Sequence, residues 1–177
     1  GRRPGVFLAH PRETLRFHYE RNPLDPRIDH DLTLAVDDFG NVTRSAAVVY
    51  PRRAAPFPEQ QAVLATVSEA DFVNRPNEPG WYRVGLSYET RTYELAGLTA
   101  PANGPFSTSF IDTVFGNAAL VPYEDIAPPP AGQTKRRLIE RVRTLYGKND
   151  QSAPLLLGEV ESLALPYRTF KMVFTPG

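Results

Sequence analysis

The sequence has 177 residues, of which 41% are hydrophobic and 23% charged, as is typical of a globular protein with a core. Basic and acidic side chains number 20 each, so no net charge attracts nucleic acid or an anionic membrane. The absence of cysteine excludes thiolate nucleophiles, disulfide frameworks and cysteine zinc sites. No apolar run reaches the roughly 20 residues of a membrane-spanning helix, and the first residues lack the pattern of a signal peptide.

Short strands joined by turns are predicted for most of the chain, because 18 prolines and 12 glycines interrupt any long helix. In residues 13–20 apolar and polar side chains alternate. This pattern predicts a strand with Leu15, Phe17 and Tyr19 on a buried face. Residues 21–27 contain two X-Pro steps and are predicted as a loop.

The stretch at residues 32–50 is predicted as a β-hairpin. Asp37 suits the first position of a type I turn, and Gly40 supplies the positive φ that a hairpin bulge requires. The turn predicts two cross-strand pairs, Val36 with Val42 and Leu32 with Ala46.

The acidic residues of this turn also raise the question of a calcium loop or an acid/base pair. Asp37 and Asp38 are adjacent, and adjacent side chains of an extended chain point to opposite faces. No further carboxylate follows at the spacing of a calcium loop. The turn interpretation is therefore preferred, with no metal and no catalytic residue assigned.

A zinc site would need three or four converging ligands. The imidazoles available for one are those of His10, His18 and His30. Pairing Phe17 with Leu32 places His18 opposite Asp31 and puts His18 and His30 on opposite faces of the sheet. The sequence therefore predicts a His18–Asp31 cross-strand pair instead of a metal site.

The middle of the chain has fewer clear signals. A short strand is predicted at Gln61–Val67, and Ser68–Asp71 has the hydroxyl and acid of a helix start. Residues 81–95 predict one long strand that is rich in aromatic and β-branched residues. Residues 98–133 have no readable structure beyond an apolar piece, and residues 122–133, with three consecutive prolines, are predicted to be an extended linker.

The stretch Lys135–Tyr146 fits both a helical and a strand pattern. An echo between "TRTYEL" and "VRTLYG" favours the strand, although good helix formers keep the helix alternative open. A last short strand is predicted at Thr169–Phe174.

Other chemistries find no support in the motifs. The stretch Gly85–Glu89, "GLSYE", lacks the second glycine of a serine-hydrolase nucleophile turn. No phosphate-binding glycine motif occurs. Four aromatic residues could form a sugar-binding platform or could pack in the core and across strands: Trp81, Tyr82, Tyr88 and Tyr93. Core packing is the preferred interpretation.

Long stretches of the sequence nevertheless resemble a known family, the B component of tripartite insecticidal Tc toxin complexes, which is related to Rhs and YD-repeat proteins. The resemblance runs from about Val6 to the end and is weaker at residues 54–80 and 98–133. The stretches that carry it are "HPRETLRFHYERNPLDPRIDHDLTLAVDDFGNVTRSAAVVYPRR", "YETRTYEL", "KRRLIERVRTLYGKND" and "LALPYRTFKMVFTPG".

The resemblance implies a structural role. In such toxins the B component carries a propeller that docks on a pore-forming A component. Together with the C component it builds a hollow β-shell around a cytotoxic fragment. This chain resembles the shell-forming stretch that follows the propeller, and no catalytic residue is carried over, because the family's catalytic residues lie in the C component.

The resulting prediction is an all-β fold of antiparallel hairpins and meanders, part of a β-shell or sandwich-like sheet, with at most one or two short helices. Residues 1–177 are expected to be a single β-rich segment of a larger secreted toxin-complex protein. Its partners would be the C and A components and adjoining strands of its own chain, without nucleic acid, membrane insertion, cofactor or enzymatic activity. The alternative is a free-standing extracellular β-sandwich that binds carbohydrate.

Overall fold

The chain forms eight β-strands and one α-helix in the computed structural model, which describes residues 9–55 and 57–173. A short 3₁₀ turn also occurs at Pro58–Gln61. In chain order the elements are β1 (Glu13–His18), β2 (Arg27–Val36), β3 (Val42–Val49), β4 (Leu64–Arg75), β5 (Arg83–Ala96), α1 (Thr108–Asn117), β6 (Ala119–Val121), β7 (Lys135–Tyr146) and β8 (Pro166–Lys171).

All eight strands belong to one sheet, with the order β1-β2-β3-β4-β5-β7-β6 and with β8 paired to β7. Strands β1 to β5 follow one another as an antiparallel meander, and β7 pairs antiparallel with β5 and β8. Only the short β6 runs parallel to its neighbour, β7, among the described strands. The predicted all-β fold with at most one or two short helices is confirmed, since the described residues contain one short α-helix.

The β2–β3 hairpin has the predicted register. Leu32 lies opposite Ala46, and Val36 lies opposite Val42. An irregularity near Thr33 separates the two pairs, yet both keep their partners. The register follows from the tight turn, which fixes how the two strands meet.

The predicted register of β1 against β2 is wrong. Phe17 lies opposite Ile28, whereas Leu32 lies opposite Glu13, a displacement of four residues. A shift by an even number keeps every side chain on its face, so the alternating pattern fits both registers equally well. The predicted burial of the apolar face is also wrong, because every residue of β1 from Glu13 to Phe17 is exposed.

The helix start predicted at Ser68–Asp71 is wrong, and the strand predicted at Gln61–Val67 is much longer. Both stretches lie in β4, which begins at Leu64. Ser68 is paired with Thr92, and the two hydroxyl oxygens are 3.3 Å apart. The hydroxyl and carboxylate that resemble a helix cap make cross-strand contacts instead.

The strand predictions in the second half are confirmed. The long strand predicted at residues 81–95 is β5, and Lys135–Tyr146 is strand throughout. The two strands pair antiparallel, with Thr90 opposite Val142. The last strand lies at Pro166–Lys171, and the predicted end at Phe174 falls outside the described residues.

The segment that sequence reasoning could not interpret contains α1. The Ser107 hydroxyl accepts the Phe110 N–H at 3.2 Å and caps the helix. After β6, residues 122–134 form turns and irregular backbone. That residues 122–133 act as a linker stays a prediction.

The core lies where α1 packs on one face of the sheet, which we call the helix face. Ile111 and Phe115 of the helix are almost completely buried against the centre of β2 to β5. The buried apolar residues of this cluster are Leu32, Ala46, Val48, Ala65, Val67, Leu95, Phe106, Ile111, Phe115 and Ala118. Within the described ranges, no helix has the length and hydropathy to cross a membrane.

Candidate functional site

The three histidines differ in burial and lie at different positions in the fold. His10 is exposed, and His18 contacts Asp29 with 2.8 Å between Nε2 and Oδ2. His30 is completely buried on the helix face. The predicted pair of His18 with Asp31 is wrong, because the displaced register gives Asp31 to Arg16. His18 and His30 still lie on opposite faces, as expected.

No group of three or more metal-ligating side chains converges within the described residues. The alternation of faces along β1 and β2 separates the imidazoles that a zinc ion would need together. The absence of a metal site in the whole chain stays a prediction.

Asp37 is the centre of a polar network at the β2–β3 turn. Its Oδ1 accepts the backbone N–H groups of Phe39 and Asn41, both at 2.9 Å. Its Oδ2 accepts the side-chain amides of Asn41 at 2.8 Å and Asn74 at 2.9 Å. Asn74 in turn accepts the Gly85 N–H at 2.8 Å, so the network joins the turn to β4 and β5.

The electrostatics of Asp37 suit a structural acceptor. Burial disfavours its ionised form, but the hydrogen bonds from Asn41 and Asn74 outweigh burial and lower the pKa of Asp37 below its ordinary value. Asp38 is exposed and takes no part in this network. The turn interpretation accounts for both residues, and Gly40 has the expected positive φ of 84°.

The serine of "GLSYE" lies inside a strand. Ser87 is paired with Phe72 of β4, and its carbonyl accepts the Tyr146 hydroxyl at 3.0 Å. A hydrolase nucleophile instead sits on a sharp turn between a strand and a helix. This position gives Ser87 a structural role.

The four aromatic residues considered as a sugar platform do not form one surface. Tyr93 lies against the core, with its ring 5.3 Å from that of Phe115. Tyr88 and Trp81 are half-buried, and Tyr82 is exposed. Core and cross-strand packing therefore describes Tyr93, and only Tyr82 offers an open ring.

A buried carboxylate, which sequence reasoning missed, organises the charged part of the helix face. Glu89 receives hydrogen bonds from Arg141 at 2.5 Å, Arg143 at 2.6 Å and Arg91 at 2.9 Å. Burial opposes ionisation of Glu89, but Arg141 and Arg143 outweigh this effect, so its pKa lies below the ordinary value. The signal available in the sequence was the alternation of charged residues in β5 and β7.

Arg44 connects the helix to the sheet. Its guanidinium is 2.8 Å from Glu69 of β4 and 2.8 Å from Asp112 of α1. Since opposite charges surround Arg44 on two elements, this contact fixes the position of α1 along the sheet. On the helix face, ion pairs thus connect five charged residues, namely Arg44, Glu69, Asp112, Arg91 and Glu89.

The outer edge of β1 is the most distinctive free surface. Leu15, Phe17 and Tyr19 are 37%, 49% and 53% exposed and form an apolar row. The Thr33 N–H donates to the Arg12 carbonyl at 2.8 Å. Because antiparallel strands alternate in hydrogen bonding, the backbone groups of Glu13, Leu15 and Phe17 point away from β2. No other described strand pairs with them.

The opposite edge of the sheet is divided between two short strands. The outer side of β7 pairs with β6 at Lys135–Arg137 and with β8 from Val142 onward. Every residue of β8 is exposed. The described sheet therefore ends on both sides in strands with little burial.

Comparison with known proteins supports the family resemblance. Residues 2–79 match a family model described as "Insecticide toxin TcdB middle/C-terminal region". This match includes nearly all of residues 54–80, where the resemblance was expected to be weak. It does not extend into the second half of the chain, where a resemblance was also expected. A search of curated proteins gave no match.

Solved structures extend the likeness in fold. The crystal structure of TcdB2-TccC3 matches with a TM-score of 0.64 and 22% identity, over 89% of this chain and 8% of that chain. The same complex without its hypervariable C-terminal region matches with a TM-score of 0.67 and 23% identity, over 92% of this chain and 8% of that chain. A Photorhabdus luminescens Tc holotoxin pore with mutated TccC3 matches with a TM-score of 0.66 and 23% identity, over 90% of this chain and 8% of that chain.

The chain spans less than a tenth of the length of each solved chain that it matches. At these identities the solved structures establish the fold, and the family model adds a sequence match over residues 2–79. The resemblance predicted from the sequence is thereby confirmed: this chain has the fold of a segment of the Tc toxin B component, and its first part matches the TcdB middle/C-terminal region.

Proposed function

We propose that this chain is a structural segment of a toxin-complex B component and forms part of a hollow β-shell that encapsulates and delivers a cytotoxic fragment. The family match over residues 2–79 supports the first part of this proposal. The likeness in fold to TcdB2-TccC3 and to a Tc holotoxin supports the second.

The observation that carries the proposal is the edge strand β1. Its outward backbone groups at Glu13, Leu15 and Phe17 are available for another strand, and its apolar row would pack beside that strand's side chains. An exposed edge of this kind favours pairing with a further strand. A shell requires such edges, because each segment of sheet must continue into the next.

The partners follow from the same role. Through the full-length protein the segment would act with a C component and an A component, outside the producing cell. Its direct contacts would be with adjoining strands of its own chain, without nucleic acid and without entering a membrane. It would require no cofactor and perform no catalysis.

Sedimentation of the purified chain from micromolar to millimolar concentration tests the role of the edge. We expect association that increases with concentration. Replacing Leu15 and Phe17 by lysine should abolish it, because charged side chains on an edge oppose strand pairing. Tyr82→Lys, which changes an aromatic residue that is more exposed than Phe17 and lies away from this edge, is the control and should leave association unchanged.

The carbohydrate-binding alternative makes the opposite prediction. A free-standing binding module should stay monomeric at millimolar concentration and bind an oligosaccharide through Tyr82 and its neighbours. That pair of results would contradict the shell proposal.

A further inference from the structure

The open side of β1 presents different side chains on the two faces of the sheet. Leu15 and Phe17 lie on the helix face and are exposed. Thr14, Arg16 and His18 alternate with them and lie on the opposite face, which we call the outer face. A strand added to this edge would therefore meet apolar side chains on one face and a polar row with an arginine at its centre on the other.

Arg16 has a charged partner on one side only. Its guanidinium contacts Asp31 of β2 through Nη1, and this is its one ion pair among the described residues. The two side chains keep 53% and 47% of their surface exposed. A guanidinium has five N–H donors in a planar fork, so the contact with Asp31 leaves donors for a second acceptor on the open side of β1.

Arginines inside the sheet show how such a side chain is completed. Arg44 lies between two carboxylates, those of Glu69 and Asp112, both at 2.8 Å. Arg91 is within 3.5 Å of three carboxylates. These arginines have carboxylates from more than one direction, whereas Arg16 at the edge has one. A carboxylate from a neighbouring strand would supply the second.

The hydrogen-bonding pattern of β1 places such a carboxylate within reach. Glu13, Leu15 and Phe17 direct their backbone groups away from β2, so they would be the hydrogen-bonded positions of a new antiparallel pair. Arg16 lies between two of them, at a non-hydrogen-bonded position. Opposing Cα atoms are about 4.5 Å apart at such positions, and side chains come closest there.

We propose that the strand accepted by β1 is antiparallel and carries an acidic residue opposite Arg16, with apolar residues opposite Leu15 and Phe17. This proposal rests on the proposed function, in which β1 pairs with an adjoining strand, and it specifies the chemistry of that strand. A second copy of β1 lacks the acid, because its outer face has Thr14, Arg16 and His18. Self-association through β1 is accordingly the weaker interaction.

A synthetic peptide with blocked termini tests this chemistry. In order, its residues are threonine, valine, glutamate, valine, threonine and lysine, which would lie opposite His18 to Glu13. Binding to the full chain, at a concentration below that of self-association, is measured from the backbone amide NMR shifts of Leu15 and Phe17. Replacing the peptide's glutamate by lysine should weaken binding about fivefold, since a cross-strand ion pair becomes a like-charge pair.

Two variants of the chain locate this preference. In Arg16→Thr the glutamate peptide should lose its advantage over the lysine peptide. Arg168→Thr changes an exposed arginine of β8, at the other edge of the sheet, and should retain the full difference.

N-methylation of the peptide separates antiparallel edge pairing from other kinds of binding. In the proposed pair the valine N–H groups donate to β1 and the glutamate N–H points away. N-methylated valines should therefore abolish binding, and an N-methylated glutamate should retain it. A parallel strand would give the reverse result.

The proposal is overturned if no peptide binds, if the glutamate and lysine peptides bind equally, if Arg16→Thr keeps the preference, or if N-methylated valines still bind. The shell proposal is tested separately, by association of the chain alone. Association through β1 without peptide binding would contradict the acidic antiparallel neighbour and leave the shell proposal standing.

Discussion

Two glycines with the same kind of backbone conformation differ in what surrounds them. Gly80 and Gly85 have φ values of 81° and 72°. A Cβ at Gly80 would meet no atom within 4 Å, whereas at Gly85 it would lie 2.8 Å from Asn41 Oδ1. Asn41 cannot move aside freely, because its amide donates to Asp37 and Asn74.

We therefore expect Gly85→Ala to destabilise the protein more than Gly80→Ala. The shared positive φ should cost about 1 kcal/mol in each variant. Displacing Asn41 should cost Gly85→Ala roughly 1–3 kcal/mol more. Urea unfolding of both variants measures the difference, and equal losses would show that the turn network tolerates displacement.

Glu89 should make the stability depend on pH. Because its pKa is lowered in the folded state, its stabilising contribution is present above the ordinary carboxyl pKa of about 4. That contribution is lost as the pH falls through the lower, folded-state value. Glu89→Gln should be less stable at neutral pH and should lose less stability on acidification.

Unfolding free energies measured across the acidic range test this prediction. Glu78→Gln is the control, since Glu78 is half-exposed and its nearest ion-pair partner, Arg75, is 3.8 Å away. If Glu89→Gln and the wild-type chain lost stability in parallel, Glu89 would not contribute to the acid sensitivity.

At the scale of elements, Phe115 is one of the side chains that anchor α1 on the sheet. Phe115 is 1% exposed, and the Arg136 guanidinium lies 4.7 Å from its ring centre. Arg136 also donates to the Phe115 carbonyl at 3.1 Å, near the end of the helix. Removing the Phe115 ring would leave a cavity beside the Arg136 guanidinium and remove the ring that the guanidinium contacts.

Phe115→Ala should accordingly lower the free energy of unfolding by about 3–5 kcal/mol. Phe110→Ala in the same helix is the matched control, because Phe110 is 45% exposed and its ring stacks on Phe106. Its loss should cost about 1 kcal/mol. Thermal unfolding of the two variants gives the comparison, and similar values would mean that α1 is not anchored through Phe115.

The elements differ in how far the sequence could predict them. The β2–β3 hairpin was predicted with its register because the turn at Asp37 and Gly40 is local and fixes the pairing. The register of β1 against β2 was not predicted correctly. The eight residues that connect the two strands allow several registers, and registers that differ by an even number of residues fit the alternation of apolar and polar side chains equally well. Polar contacts such as that of His18 with Asp29 distinguish the observed β1–β2 register from the predicted one. The pattern of apolar residues gives no information about such contacts.

Helix α1 and the start of β4 show the limits of local signals. The Ser107 cap and the apolar residues Ile111, Val114 and Phe115 have helical spacing, but glycines and prolines on both sides obscured it. Conversely, Ser68–Asp71 has a cap-like pattern within a strand. There, pairing with β3 and β5 decides the structure and overrides the local preference.

The whole molecule has no net charge, so little electrostatic repulsion opposes its association. If β1 edges associate through backbone hydrogen bonds and apolar contacts, salt should have little effect. We expect the same sedimentation behaviour in about 0.1 M and about 1 M salt. A marked loss of association at high salt would indicate that ion pairs, and not the edge, hold the chains together.

The position of β1 outside the core has a consequence for how the sequence can change over time. None of its residues belongs to the buried cluster beneath α1. If β1 pairs with a further strand as proposed, substitutions at Leu15 or Phe17 would alter which strand is accepted as a neighbour without changing the buried cluster. Selection on partner choice and selection on folding act on different residues, so related proteins can diverge in assembly specificity without first losing stability.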